Sequence, residues 1–183
     1  MNKPFIAITM GDPSGIGPEI VIRVVEDAEV RDQCVPVIIG DPEIFSRAIK
    51  LLERDLSLEV ISKPSEAGDD SGVVYVVSEG CLGDVELIPG KVDSHYGESA
   101  ASCCRRSVEF TESGEVSAIV STPFNKESFH MAGYDILDDM SYFEHCYGVS
   151  NKAYMVGEVA GIWVTMVTYH ISFRKIADLI TYD

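Results

Sequence analysis

Positive charge is scarce in this sequence, which has 14 lysines and arginines against 30 aspartates and glutamates. The resulting formal net charge of −16 repels phosphate backbones and acidic lipid surfaces, and no basic run interrupts it. Long apolar runs are also missing, because none approaches the roughly 20 residues that a membrane-spanning helix needs. We therefore expect neither a nucleic-acid-binding protein nor a membrane protein.

The cysteines lack any recognisable spacing. Their number is odd and no CxxC pair occurs, so the sequence predicts neither a disulfide framework nor a structural zinc site. The chain enters an apolar strand within a few residues of Met1, which leaves no room for a signal peptide. These features favour the reducing cytoplasm. The cysteines are Cys34, Cys81, Cys103, Cys104 and Cys146.

Short apolar runs alternate with segments of helical periodicity along most of the chain. This alternation predicts an α/β fold with a mostly parallel sheet and helices on both of its faces. In such sheets ligands bind at the carboxyl ends of the strands, which directs attention to the loops after Thr9, Ser121 and Thr168. We predict strands over 5–9, 35–40, 58–62, 73–77, 118–121, 155–159 and 162–168, and helices over 18–28, 42–54, 98–112 and 173–180.

The first loop, residues 10–17, follows the first strand and precedes a helix. Its glycines allow positive φ and close backbone approach, and the helix that follows presents free N–H groups. We therefore take Gly11, Asp12, Gly15 and Gly17 as candidate cofactor-binding residues. The loop is neither GxGxxG nor a Walker loop. A tight turn from strand to helix is the alternative interpretation.

The second loop, residues 121–126, reads Ser-Thr-Pro-Phe-Asn-Lys. It places two hydroxyls, one amide and one ammonium group at the end of a predicted strand. Lys126 is the candidate catalytic residue, since an ammonium group there can bind an anionic substrate or stabilise a developing alkoxide. A solvated surface lysine is the competing interpretation.

The third loop, residues 165–174, contains His170 where a strand meets the start of a helix. A histidine in this position is a candidate metal ligand or acid–base group. A lone histidine is more often structural, however, and no second histidine lies at ligand spacing. We therefore expect any metal site to take its further ligands from residues beyond 183 or from another subunit. We interpret His95, His130 and His145 as surface or loop residues.

Together, the three loops resemble the 4-hydroxythreonine-4-phosphate dehydrogenase family. Residues 8–19, Ile-Thr-Met-Gly-Asp-Pro-Ser-Gly-Ile-Gly-Pro-Glu, are very close to the N-terminal motif of that family. They are also similar to the GDGIGPE loop of isocitrate and isopropylmalate dehydrogenases. Residues 120–126, followed by Ala132-Gly133, look like the family segment T-x-P-x-x-K…A-G, and residues 167–174 are similar to T-x-H-x-x-L-R. The likeness extends from residue 5 to the last residue.

The resemblance implies an α/β/α sandwich of the isocitrate/isopropylmalate dehydrogenase type, incomplete in this chain. Residues 1–131 would form the first domain and 132–183 the start of a second. It also implies a homodimer in which His170 is one of three histidines, shared between subunits, that bind zinc, magnesium or cobalt. The metal would polarise a secondary alcohol that NAD or NADP oxidises, with decarboxylation of the product. Such enzymes serve pyridoxine biosynthesis.

One segment departs from the family pattern. Where the family carries Gly-His-Thr-Glu, this chain reads Asp-Asp-Met-Ser at 138–141. The resemblance places Asp139 and Met140 at the substrate-binding positions of the family histidine and threonine. A carboxylate and a thioether there disfavour a phosphorylated anion. A catabolic relative that oxidises a diol or a sugar acid is therefore the alternative.

Two further alternatives belong to other functional classes. A non-catalytic binding module derived from such an enzyme would explain both the altered 138–141 segment and the short length. An acidic kinase or transferase would use the first loop for phosphate, but the glycine–lysine pairing of a P-loop is missing. Since the resemblance places two metal ligands and most cofactor contacts outside the sequence, we expect this chain alone to be inactive.

Overall fold

Five parallel strands form the central sheet, in a computed structural model that describes residues 3–79, 82–83, 85–150, 153–168 and 171–180. The order of the strands is β3-β4-β2-β1-β5, and every neighbouring pair is parallel. All six residues of β2 are buried, as its continuous apolar run predicts for a central strand of a parallel sheet. The predicted fold class is confirmed. The strands are β1 (Phe5–Thr9), β2 (Val35–Gly40), β3 (Ser57–Ile61), β4 (Val73–Ser78) and β5 (Ala118–Val120).

Helices connect these strands and pack in two groups. One group joins α1 and α3, while α4 packs against β1, β2 and β5 and also contacts α5 and α6. Single 3₁₀ turns lie at Pro64–Glu66 and Phe173–Lys175. The helices of the described ranges are α1 (Gly17–Val25), α2 (Ala28–Gln33), α3 (Pro42–Leu51), α4 (Ser94–Glu112), α5 (Lys126–Met131), α6 (Asp139–Cys146) and α7 (Ile176–Leu179). None of them combines the length and apolarity that crossing a bilayer requires.

Several predicted helix boundaries are wrong for local reasons. The helix predicted over 18–28 ends at Val25, because Asp27 caps a new helix by accepting a 2.8 Å hydrogen bond from the Glu29 N–H. The helix predicted from residue 98 begins at Ser94, because Asp93 caps it through the His95 N–H. The helix over 42–54 ends three residues early, and 173–180 divides into a 3₁₀ turn and α7.

Two apolar clusters hold the described residues together. The larger one lies between the sheet and the helices on it, and includes Phe45 and Tyr96, both fully buried. The smaller one joins α4 to α5 and α6 through Ala100, Phe129 and Tyr142. The predicted domain boundary between residues 131 and 132 falls within this smaller cluster. The division into domains stays a prediction.

A separate antiparallel hairpin follows the central sheet. Its strands are β6 (Val156–Val159) and β7 (Ile162–Thr165), so the strand predicted to reach residue 168 ends three residues sooner. The turn has positive φ at Ala160 and Gly161, 50° and 82°, the geometry of a two-residue hairpin turn. All eight strand residues are exposed.

Candidate active site at the carboxyl ends of the central strands

The chain changes direction across the sheet between β1 and β5. From β1 the connection runs through α1 to β2 on one side, whereas β5 pairs with β1 on the other side. This is a topological switch point, the place where open parallel sheets bind ligands beyond the carboxyl ends of their strands. The first and second loops follow these two strands. The structure therefore brings two of the three predicted loops to one edge of the sheet.

Hydrogen bonds join the first and second loops into one unit. The Thr122 hydroxyl donates to the Thr9 carbonyl oxygen at 2.7 Å, and the Thr122 N–H donates to Thr9 Oγ1 at 3.2 Å. The Asp12 N–H donates to the Pro123 carbonyl oxygen at 3.0 Å. Thr9 and Thr122 are both buried, so these bonds are shielded from water. We call these two hydrogen-bonded loops, residues 10–17 and 121–126, the platform. The end of the second loop, at Lys126, is exposed.

Gly11 and Gly17 are required by packing within this platform. Gly11 has φ +72°, and a Cβ there would lie against Thr122 Oγ1 and 2.5 Å from the Pro123 carbonyl oxygen. A Cβ at Gly17 would lie 2.6 Å from the Met10 carbonyl oxygen. The close backbone approach that the sequence predicts is thus a contact between two segments of the same chain. A direct contact of either glycine with a cofactor stays a prediction.

Asp12 organises the turn inside the first loop. Its buried Oδ1 accepts hydrogen bonds from the Ser14 N–H at 2.8 Å and from the Ser14 hydroxyl at 2.9 Å. The same hydroxyl lies 2.9 Å from the Lys91 carbonyl oxygen, and the Gly90 N–H donates to the Ser14 carbonyl oxygen. These contacts attach the irregular segment 88–91 to the loop. Gly15 stays exposed beside them and is the accessible member of the predicted cofactor-binding set.

Lys126 and Asp139 come close enough for their charges to interact. Lys126 is exposed at the first position of α5, which Asn125 caps by accepting from the Ser128 N–H at 3.0 Å. Asp139 is the first residue of α6. Desolvation raises the pKa of the Asp139 carboxyl, and the positive charge of Lys126 opposes that rise. The charge of Lys126 thus acts on Asp139, although sequence reasoning selected the two residues separately, and Met140 follows Asp139 in a half-buried position. Their contact with a substrate stays a prediction.

The segment that departs from the family pattern begins a helix that sequence reasoning missed. Asp138 Oδ1 accepts from the Ser141 N–H at 2.8 Å, and the Ser141 hydroxyl oxygen accepts from the Asp138 N–H at 3.0 Å. This reciprocal pair is a capping box, with serine in the place of the usual glutamate. The spacing of Asp138 and Ser141 could have revealed it. Asp138 and Ser141 thus fix the helix start, while substrate binding by Asp139 and Met140 stays a prediction.

A hydrogen-bond network around Arg105 holds α6 against α4, and sequence reasoning missed it. The guanidinium donates to the hydroxyls of Tyr134 at 2.6 Å and Tyr142 at 3.0 Å, and to Glu98 Oε1 at 2.7 Å. The Tyr134 hydroxyl donates to Glu98 Oε2 at 2.7 Å. Burial raises the pKa of the Tyr142 phenol, so it stays protonated and packs edge-on against Phe129. The network fixes α6, and with it Asp139, relative to α4.

The predicted metal ligand, His170, lies outside the described residues. Within the described ranges, no group of three or more histidine, cysteine, aspartate or glutamate side chains could hold a metal ion. The described part of the chain therefore does not furnish a metal site by itself. His95, His130 and His145 are exposed, as predicted. His95 pairs with Asp93 at 2.9 Å.

One known protein family matches most of this chain. The family model described as pyridoxal phosphate biosynthetic protein PdxA matches residues 32–183. The chain belongs to the PdxA family. The predicted family membership is thereby confirmed, and the matched residues include the second loop.

Curated relatives of this PdxA-family chain are named as dehydrogenases. A Clostridium botulinum protein with the provisional name D-threonate 4-phosphate dehydrogenase is 34% identical over 180 residues, which is 98% of this chain and 54% of the relative. A 4-hydroxythreonine-4-phosphate dehydrogenase of Trichlorobacter lovleyi is 32% identical over 181 residues, 98% of this chain and 53% of the relative. The chain thus spans about half the length of the curated relatives it matches.

Solved structures agree with the fold. A 4-hydroxythreonine-4-phosphate dehydrogenase from Burkholderia phymatum has a TM-score of 0.88 at 31% identity, covering 94% of this chain and 52% of that one. A terephthalate 1,2-cis-dihydrodiol dehydrogenase from Burkholderia xenovorans has a TM-score of 0.72 at 20% identity, covering 95% of this chain and 50% of that one. The second likeness concerns the fold alone.

Proposed function

We propose that this chain forms part of the active site of an NAD- or NADP-dependent dehydrogenase that oxidises a secondary alcohol. Membership of the PdxA family, with relatives named as dehydrogenases, is the observation that supports this function most strongly. The position of Lys126 supports the proposal, because Lys126 is exposed beside the hydrogen-bonded first and second loops at the carboxyl edge of the sheet. We also propose that the protein acts in the cytoplasm as a homodimer.

Lys126 and Asp139 would have different roles in binding and oxidising the substrate. The Lys126 ammonium would bind an anionic group of the substrate, or stabilise the alkoxide as the alcohol releases its proton to solvent. A bound nicotinamide cofactor would supply the acceptor for the hydride of the alcohol carbon. The Asp139 carboxylate would accept a hydrogen bond from a second hydroxyl, and its charge would be balanced by Lys126. Decarboxylation of the oxidised product would follow in a substrate that carries a suitably placed carboxylate.

The substrate is the point on which two candidates differ. The named relatives favour 4-hydroxythreonine 4-phosphate or D-threonate 4-phosphate. A diol or sugar acid without phosphate is the second candidate, since Asp139 adds negative charge where the family pattern has histidine. Steady-state kinetics of the active protein that contains this chain, with NAD or NADP and each substrate, would decide between them. A higher kcat/KM for the unphosphorylated acid would support the second candidate, and turnover of neither class would contradict the proposed function.

In the active protein that contains this chain, replacement of Lys126 by alanine is expected to lower kcat/KM by about 100-fold, which is the typical cost of losing one group that stabilises developing charge. The thermal midpoint should barely change, because the side chain is exposed. Lys63→Ala is the matched control, since Lys63 is also exposed but lies after β3, away from the switch point. Equal kcat/KM for the two variants would show that Lys126 is a solvated surface lysine without a catalytic role.

We further propose that His170 is one ligand of a divalent metal, with the remaining ligands supplied from outside the described residues. A His170→Ala variant of the active protein is expected to bind less than one-tenth of the wild-type metal, measured by elemental analysis after dialysis. Exposed His95 provides the control, and His95→Ala should retain full metal content. Wild-type metal content in the His170→Ala protein would contradict this assignment.

A further inference from the structure

A pair formed by a histidine and a carboxylate lies where the chain enters α4. His95 Nδ1 lies 2.9 Å from Oδ1 of Asp93, and the Lys91 ammonium nitrogen lies 2.8 Å from Oδ2 of the same carboxylate. The His95 side chain is 61% exposed, whereas the Asp93 side chain is only 18% exposed. Of the three histidines in the described ranges, His130 and His145 form no such pair. His95 is therefore the histidine of those ranges that a carboxylate orients.

Hydrogen bonds attach this pair to the first loop and to α5. The Lys91 carbonyl oxygen accepts from the Ser14 hydroxyl of the first loop at 2.9 Å. The Asp93 N–H donates to the Ser128 hydroxyl oxygen at 3.3 Å, and Ser128 lies two residues after Lys126 on α5. The start of α4 is thereby held between the first loop and the start of α5. The pair thus lies at the same carboxyl edge of the sheet as Lys126.

The carboxylate determines which nitrogen of the histidine ring carries hydrogen. Hydrogen bonds from Lys91 and His95 hold the pKa of the Asp93 carboxyl well below its usual range, so the group stays ionised. An ionised carboxylate only accepts hydrogen bonds, so Nδ1 of the neutral ring carries the hydrogen and Nε2 carries the lone pair. Nε2 makes no hydrogen bond with any residue that the structure describes. The exposed ring therefore presents a proton acceptor, and Asp93 stabilises the imidazolium that forms when a proton arrives.

Oxidation of a secondary alcohol requires an acceptor of this kind. As the alcohol carbon loses its hydrogen as hydride, the hydroxyl proton must also leave the oxygen, and a positioned base accelerates such a step by about 10²–10⁴-fold. Lys126 cannot accept that proton while its ammonium group is charged. Asp139 would accept a hydrogen bond from a second hydroxyl of the substrate. The proposed function therefore leaves the position of the base open.

We propose that His95 accepts the proton of the alcohol and that Asp93 positions its ring. The O–H bond of the alcohol breaks and the proton passes to Nε2. The electron pair of the C–H bond leaves with the hydrogen as hydride to the nicotinamide cofactor, and the oxygen forms the carbonyl double bond. The imidazolium then releases the proton to solvent, to which the ring is exposed. This role rests on the proposed dehydrogenase function and names the group that takes up the proton.

Removal of the imidazole tests the role in the active protein that contains this chain. With 4-hydroxythreonine 4-phosphate or the unphosphorylated acid, whichever the wild-type protein oxidises faster, His95→Ala should lower kcat/KM by about 100-fold. The helix cap should persist, because it uses the His95 N–H, which alanine retains. Added imidazole should recover at least tenfold of the lost kcat/KM, since a free base can replace the side chain. His145→Ala is the control, an exposed histidine without a carboxylate partner, and should match the wild type with or without imidazole.

An Asp93→Asn variant separates positioning of the ring from capping of the helix. Asparagine caps helices about as well as aspartate, so the thermal midpoint should barely change. The neutral amide no longer stabilises the imidazolium, so kcat should fall about tenfold with little change in KM. Asp27→Asn makes the same substitution at the cap of α2 and should leave kcat unchanged. Wild-type kcat in Asp93→Asn would overturn the positioning role.

Two further results separate the role of His95 from the proposed function. A two-bond ¹H–¹⁵N NMR spectrum needs no turnover and should show the neutral His95 ring with its hydrogen on Nδ1, whereas hydrogen on Nε2 would overturn the role. Wild-type kcat/KM in His95→Ala, or a loss that imidazole does not relieve, would also overturn it and leave the dehydrogenase intact. A wild-type protein without turnover would overturn the proposed function and this role with it.

Discussion

A Gly11→Ala variant is expected to lose about 4 kcal/mol of its free energy of unfolding, the sum of a left-handed backbone penalty and an overpacked contact. Gly11 has φ +72°, and its missing side chain is what allows the Pro123 carbonyl oxygen to approach. The added methyl group must separate the first and second loops or bend one of them. Thermal unfolding should show a midpoint lower by about 8–16 °C, given the usual scaling for chains of this size.

Gly114→Ala separates the two contributions. Gly114 has φ +77°, close to the value at Gly11, but a Cβ there meets no atom within 4 Å. The control should therefore lose only the backbone penalty of about 1–2 kcal/mol. A Gly11→Ala protein no less stable than Gly114→Ala would show that the loops are not packed as closely as described.

Replacing Gly97 by alanine should destabilise the protein by about 2–3 kcal/mol through overpacking alone. Gly97 lies in α4 with helical φ, and a Cβ there would meet the Ser128 carbonyl oxygen and lie 2.8 Å from the Phe129 nitrogen. Those atoms belong to the backbone of α5, which cannot yield as a flexible side chain would. In an exposed helix the same change would stabilise by about 1 kcal/mol, so the sign of the measured change is itself informative.

Glu112→Ala provides the comparison within the same helix. Glu112 is exposed at the end of α4, away from α5, and its replacement should alter stability by no more than about 0.5 kcal/mol. Because α5 begins at Lys126, displacement of α5 by Gly97→Ala should also lower kcat/KM, while Glu112→Ala should not. A stabilised Gly97→Ala protein would contradict the close approach of the two helices.

The sequence predicts the central sheet well because buried parallel strands leave a strong local signal. The runs at 5–9, 35–40 and 73–77 contain almost no polar residues, and all three correspond to strands of the structure. Short helices leave a weaker signal. Helices α5 and α6 are only six and eight residues long, and their caps, Asn125 and Asp138, lie in stretches that read as irregular.

The sequence predicts which loops form the candidate site, because strand ends can be located, but it does not predict the contacts between those loops. Strand ends place the first and second loops at one edge, but the Thr9–Thr122 pair joins residues 113 positions apart, which periodicity cannot reveal. The Arg105 contacts with Tyr134 and Tyr142 likewise depend on how α4 packs. The glycines of the first loop were selected for a cofactor, yet packing within the protein is sufficient to explain Gly11 and Gly17.

The β6–β7 hairpin has a consequence for the behaviour of the chain in solution. Both strands have an unpaired edge within the described residues, and the side chains around them, including Trp163 at 74% exposure, are apolar and open to water. Such edges are templates for intermolecular strand pairing. What opposes this pairing is the mutual repulsion of molecules with a net charge of −16, and salt at about 0.15 M screens that repulsion beyond about 8 Å. We therefore expect that raising the ionic strength lowers the concentration at which molecules begin to associate through this hairpin.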